Sequence, residues 1–177
     1  MKSINVQTLR KTIKSRQCEI PHGPGIYCWW FQEEGAQTLL KALPEVDLSK
    51  VASRTVDGKR WLALYFGISK DLRGRLRWHL TQHHTLSSVK SGFISTLRFS
   101  LSALLGIPAT EAEEKVNQFM DEYCMINYKS VESIEAAEAI EKKELSTKYY
   151  PLNIANNRFV DRYILLALTK LRRENRH

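Results

Sequence analysis

The chain has 177 residues, 43% of them hydrophobic and 26% charged, with 27 Lys plus Arg against 19 Asp plus Glu. A chain of this length reads as one domain, 1–177, able to bury a core without disulfides or a structural metal, and its composition excludes disordered, collagen-like and disulfide-scaffold classes. The net charge of +8 favours a polyanionic partner such as nucleic acid.

Residues 4–14, with Ile4, Leu9 and Ile13, read as a short leading helix. Its Arg10, Lys11 and Lys14 stand where a secretion signal would need an apolar core, and no apolar run approaches the ~18–20 residues needed to span a membrane. Pro21, Gly23, Pro24 and Gly25 form a stiff turn. Residues 26–31 (IYCWWF) are dense in aromatic and β-branched side chains and predict a strand. A helix over 35–43, ended by Pro44, and a second strand over 51–56 follow. Asp57-Gly58 is a hairpin turn signal, and residues 61–67 make the returning strand. Helices dominate afterwards. Residues 71–82 place Leu72, Leu76 and Leu80 at i, i+4, i+8. Residues 95–105 form another helix. Thr110 with Glu113 reads as a capping box for a helix to Tyr123. Residues 125–128 suggest a short third strand, 133–148 a long helix, and the C-terminal segment 158–177 a last one. Strands first and helices after indicate an α+β fold, a small antiparallel sheet of about three strands flanked by helices.

Three cysteines, Cys18, Cys28 and Cys124, lack a C-x-x-C pair, which argues against zinc and fits a reducing, cytoplasmic setting. Tyr27 and Tyr65 sit on two strands that one hairpin would bring to the same face, although strand tyrosines usually pack. Arg75 and His79 are four apart and share a helix face, as do Arg73 and Arg77. Such a face is either solvated or a cation and an imidazole aimed at a phosphate. Glu141 falls in a stripe with Ile134, Ala137 and Leu145, where a carboxylate is costly unless a cation compensates or it reaches solvent. Glu138 with Lys142 and Glu144 with Lys148 are candidate i, i+4 pairs. Asn153 reads as a turn residue, His83 and His84 as surface residues, and Trp29, Trp30 and Trp78 as packing residues, with stacking on bases as the alternative. No phosphate-cradling glycine loop and no Gly-x-Ser-x-Gly elbow occurs.

The order of these residues is more informative than any one of them. Gly25-Ile26-Tyr27, then Tyr65-Phe66-Gly67, then Arg75, His79, Glu141 and Asn153 resemble the GIY-YIG nuclease family over residues 22–157. The second motif departs once, with Phe66 at the central apolar position. The 37 residues between Tyr27 and Tyr65 exceed the family's usual connection and imply an inserted segment at about 32–56. The resemblance implies metal-dependent hydrolysis of DNA phosphodiesters. It implies Tyr27 as general base or water-orienting group, Tyr65 holding water or phosphate, and Arg75 stabilising developing charge. It further implies His79 relaying the Tyr27 proton, Glu141 ligating one divalent ion, Mg2+ or Mn2+, and Asn153 supporting the site. Residues 54–77 carry a local balance of +5, so Arg60, Lys70, Arg73 and Arg77 are the expected DNA contacts. One site makes one nick, and double-strand cleavage would need a homodimer or sequential cuts. The alternative is a catalytically inactive module of the same fold that binds DNA or protein.

Overall fold

A computed structural model describes residues 1–176. The terminal residue of the expected last helix, 177, lies outside them. The frame is a wholly antiparallel five-stranded sheet in the order β1-β5-β2-β4-β3. Its strands are β1 (Lys2–Asn5), β2 (Gly25–Gln32), β3 (Ser53–Val56), β4 (Lys59–Ser69) and β5 (Cys124–Ser130). The helices are α1 (Val6–Thr12), α2 (Glu33–Leu40), α3 (Leu72–Thr81), α4 (Leu86–Lys90), α5 (Thr96–Leu104), α6 (Glu113–Tyr123), α7 (Ile134–Thr147) and α8 (Arg162–Glu174). Among the described residues, no helix is long and apolar enough to cross a membrane.

The α+β class holds, and the sheet has five strands against about three expected. Four of the five read as strand segments in the sequence; the one missed is β1, which the sequence reading folded into the leading helix. Asn5 decides the boundary: its side chain accepts from the backbone N–H groups of Gln7 and Thr8 and starts α1 at Val6. Residues 2–5 then stay extended and pair with β5. Asp57 (φ 51°) and Gly58 (φ 73°) both adopt the left-handed conformation, as a two-residue hairpin loop between β3 and β4 requires. The Thr110 capping box does not form. α6 starts at Glu113, whose carboxylate instead accepts from the His83 ring at 2.9 Å and the His84 backbone N–H at 3.0 Å. Of the two candidate pairs on α7, Glu144–Lys148 closes at 2.8 Å. Glu138 and Lys142 line a cleft together.

β2 and β4 are neighbours in the sheet but not a hairpin, because α2 and β3 lie between them in the chain. Their register runs from Gly25↔Ser69 to Trp29↔Tyr65, then slips to Trp30↔Ala63. The bulge leaves Leu64 as the extra residue. Side chains alternate between two covered faces. Tyr27, Trp29, Phe31, Leu62 and Leu64 join the main core with α1, α3, α5, α6 and α8. Ile26, Cys28, Ala63 and Phe66 face the other way, onto Ala137 and Leu145 of α7 and onto Tyr150. α3 is oriented by its fully buried Leu72, Leu76 and Leu80. Asp71 caps its start, accepting from Gly74 N–H at 3.1 Å. The three cysteines are free and buried.

Candidate active site

Tyr27 stands opposite Gly67 in the β2–β4 ladder. Its ring lies across that glycine so closely that a Cβ there would sit 2.5 Å from the ring Cζ and 2.6 Å from Oη. Only glycine fits, so Gly67 is what allows the Tyr27 ring to lie along the sheet. Tyr65 is on the same face, its ring centroid 6.4 Å from that of Tyr27. The two tyrosines therefore share a face, as the sequence reading expected, through neighbouring strands rather than a hairpin.

His79, one helix turn after Arg75 on α3, meets Tyr27 from above. Tyr27 Oη and His79 Nε2 are 2.9 Å apart, and both side chains are 2% exposed. The other ring nitrogen, Nδ1, lies 2.5 Å from Ser95 Oγ. With Nδ1–H donated to Ser95, the Nε2 lone pair faces the Tyr27 hydroxyl. Burial first, then the positive charges of Arg75 and Arg98, push the His79 pKa down to about 3. The imidazole is neutral at working pH. Burial also lifts Tyr27 well above its ordinary 10, with Tyr65 adding to the rise and Arg75 opposing it. Tyr65 is raised too, first by burial, again against Arg75. Arg75 alone therefore does not release the Tyr27 proton.

The Arg75 guanidinium has no carboxylate partner and no side-chain acceptor among the described residues, and it lies 5.0 Å over the Trp78 ring. Glu141, on α7, is half-buried and likewise without a hydrogen-bond or ion-pair partner among the described residues. It lines a cleft of about 610 Å³ with Ile68, Glu138, Lys142 and Arg158. Burial, then Glu138, raises its pKa above the usual 4.5. Its charge is felt by both tyrosines. Asn153 sits apart from the cleft. Its amide closes a two-bond clamp on the backbone of Phe66, accepting from N–H at 2.8 Å and donating to C=O at 2.7 Å. It thus completes β4 beside Tyr65 like a strand partner.

The four expected DNA-contacting cations divide. Lys70 and Arg77 are exposed. Arg73 instead donates to the backbone carbonyls of Ile20, at 2.6 Å, and Cys18. Arg60 pairs with Glu33 at 2.6 Å, five residues along β4 from Tyr65, or roughly 17 Å at strand rise.

A family model described as the GIY-YIG catalytic domain matches residues 25–174. The chain belongs to the GIY-YIG family. No curated protein and no solved structure matches it. The GIY-YIG assignment makes this a nuclease-type protein of a family whose members are generally endonucleases and typically use a divalent metal. Among the described residues no three His, Cys, Asp or Glu side chains converge. The carboxylate that could hold such an ion is the partnerless Glu141, with Glu138 lining the same cleft. That suits a hard cation such as Mg2+, which keeps several waters and takes substrate phosphate oxygens.

Two residues of this GIY-YIG domain escaped the sequence reading. Ser95 is the partner of His79 described above. Arg98, fully buried, donates to His79 O at 3.0 Å, Asn117 Oδ1 at 2.9 Å and His84 Nε2 at 2.8 Å. His84 is itself a correction: read as a surface residue, it is 5% exposed. Its Nδ1–H donates to Ala109 O at 2.9 Å, so Nε2 is left to accept from Arg98. Accepting from Arg98 needs the neutral ring.

Proposed function

We propose that this protein is a metal-dependent DNA endonuclease in which Tyr27 and His79 manage the proton of the attacking water. The observation that supports the reading best is the buried Tyr27–His79 hydrogen bond, with the partnerless Arg75 and Glu141 beside it. Phosphodiester hydrolysis is extremely slow unaided, so several modest effects must act together.

In this reading water attacks phosphorus while its proton passes to Tyr27 Oη, and the Tyr27 proton passes to His79 Nε2. Tyr27 never needs to become a free phenolate, which its raised pKa disfavours. His79 is a weak base in the empty site. A phosphate pairing with Arg75 lessens this, because it cancels one of the charges that, after burial, depress the imidazole pKa. Arg75 then stabilises the charge that grows on the phosphate. Tyr65 orients the water or the phosphate. Asn153, through Phe66, holds β4 and thus Tyr65 in place. The P–O bond to the leaving group breaks and that oxygen takes its proton from solvent. A divalent cation on Glu141, Mg2+ or Mn2+, would supply Lewis-acid polarisation of the phosphate. Lys70 and Arg77 would contact the DNA backbone. One such site makes one nick, so a double-strand break takes two copies or two successive cuts.

Supercoiled plasmid with Mg2+ or Mn2+ tests the reading. Wild type is expected to nick or linearise it, EDTA to abolish cleavage, and Glu141→Ala to lose it. Tyr27→Phe, which keeps the ring over Gly67, is expected to lower the rate roughly 10²–10⁴-fold. Cleavage that persists in Glu141→Ala overturns the ligand role. DNA binding without cleavage by wild type on any topology favours the inactive binding module.

A further inference from the structure

Phe93 is the most exposed large apolar side chain among the described residues, at 69%. It is not a loose loop tip. The Gln82 side chain donates to Phe93 O at 2.7 Å and accepts from Ser95 N–H at 2.6 Å, and Ile94 and Ser95 behind it are buried. The chain is thus anchored on a buried amide while the ring stays in water. The ring lies 5.5 Å from that of Trp78 at 38°. Trp78 is half-buried on α3, and its ring carries Arg75 at 5.0 Å. Trp78 and Phe93 wall two adjoining clefts, one of about 410 Å³ that includes Arg75 and Ser69, the other of about 540 Å³ that includes Arg77 and Thr81. Each cleft holds one exposed or half-exposed arginine of α3.

We propose that Trp78 and Phe93 form a stacking platform for an unpaired DNA base adjoining the phosphate at Arg75, so that the enzyme favours DNA with a flap, bulge or gap. The proposal rests on the endonuclease reading above and deepens it by naming the substrate class. In an intact duplex both faces of every internal base are covered by neighbouring bases, so an aromatic ring beside the backbone has nothing to stack on. A base out of the stack exposes a face that any aromatic ring can take. The flanking arginines match the phosphates on either side of such a base, and each clings to a cleft of nucleotide-accommodating size. A surface built only to follow duplex phosphates would carry Lys and Arg there, as it does at Lys70.

The test is binding in EDTA, where cleavage is off. The probes are a short blunt duplex and the same duplex carrying a single-stranded flap with 2-aminopurine at the junction. The readout is the ratio of the two affinities in wild type, Phe93→Leu and Phe93→Trp. Leu keeps apolar bulk without a stacking face. Wild type is expected to prefer the flap and to quench 2-aminopurine. Phe93→Leu is expected to lower the preference roughly 5- to 100-fold, and Phe93→Trp to restore both preference and quenching. An equal ratio in wild type and Phe93→Leu overturns the platform. If plasmid nicking is intact in that case, the nuclease reading stands without it. A Phe93-dependent preference in a protein that never cuts keeps the platform and overturns the nuclease reading. No binding to either probe overturns the platform outright.

Discussion

Gly67 and Tyr27 form a pair whose geometry leaves no room for a methyl group, with the ring 2.5 Å from where a Cβ would be. Gly67→Ala must therefore move the ring or the strand. Overpacking of this kind costs about 1–3 kcal/mol. Because the moved atom is Tyr27 Oη, activity is expected to fall further than stability, roughly 10²-fold for a displacement near 1 Å. Urea unfolding beside a nicking assay separates the two. Ser95 acts one step further out. Ser95→Ala removes the hydrogen-bond partner that orients the His79 ring, and kcat is expected to drop roughly tenfold or more with little change in KM. The pH profile carries an independent check. His79 stays neutral until about pH 3, so kcat/KM of the free enzyme should show no acid limb at the ordinary histidine pKa of 6.5. The first group lost as pH falls should be Glu141, whose carboxyl is held above 4.5 by burial and Glu138. A limb centred at 6.5 that vanishes in His79→Gln would mean that the imidazole is charged near neutrality after all.

α3 is the element on which the site turns, and it is gripped at both ends. Asp71 satisfies its first turn. At the other end two arginines donate to its terminal carbonyls, Arg98 to His79 O and Arg10 to Leu80 O, where the helix dipole is negative. Asn117 Oδ1 accepts from both, and Asp121 pairs with Arg10 at 2.7 Å. Arg98→Met would fill the space but leave His84 Nε2 and His79 O unpaired in the interior. Each such group costs about 1–3 kcal/mol, so a loss of about 3 kcal/mol is expected in urea at neutral pH. A loss under ~1 kcal/mol would mean that water replaces the guanidinium. This network also marks where sequence reading stops. Leu72, Leu76 and Leu80 announce α3, and its face with Arg75 and His79 follows from a four-residue spacing. Tyr27 and Tyr65 sit on strands whose apolar density is local. Ser95, Arg98 and the buried His84 have no local signature, because their partners lie 14 to 29 residues away and only the tertiary fold joins them. β1 was hidden for a related reason: its four residues pair with a strand 120 to 126 positions later in the sequence, while Asn5, which ends it, looks from sequence like any polar residue.

At the scale of the whole molecule, two buried neutral histidines make stability depend on pH. His79 is held down to about 3 and His84 to about 4, each first by burial and then by a neighbouring arginine, against 6.5 for the unfolded chain. Between these values the unfolded state binds protons that the folded state refuses. Stability is therefore full above about 6.5 and falls as pH falls toward 4, by about 1.4 kcal/mol per pH unit for each histidine. Two of them give roughly 3 kcal/mol per unit, which is large beside a typical total of about 5–15 kcal/mol. The domain is expected to be well folded at pH 7 and to lose a large part of its stability by pH 5. The surplus of positive charge grows in the same direction, so the wild-type curve alone does not isolate the histidines. His84→Gln does, because a glutamine amide can accept from Arg98 without titrating. Its stability between pH 6.5 and 5 should fall with about half the wild-type slope. Equal slopes in the two proteins would mean that His84 is charged, or reached by water, in the folded state and contributes nothing to the acid loss, which would then rest on His79 and general charge repulsion.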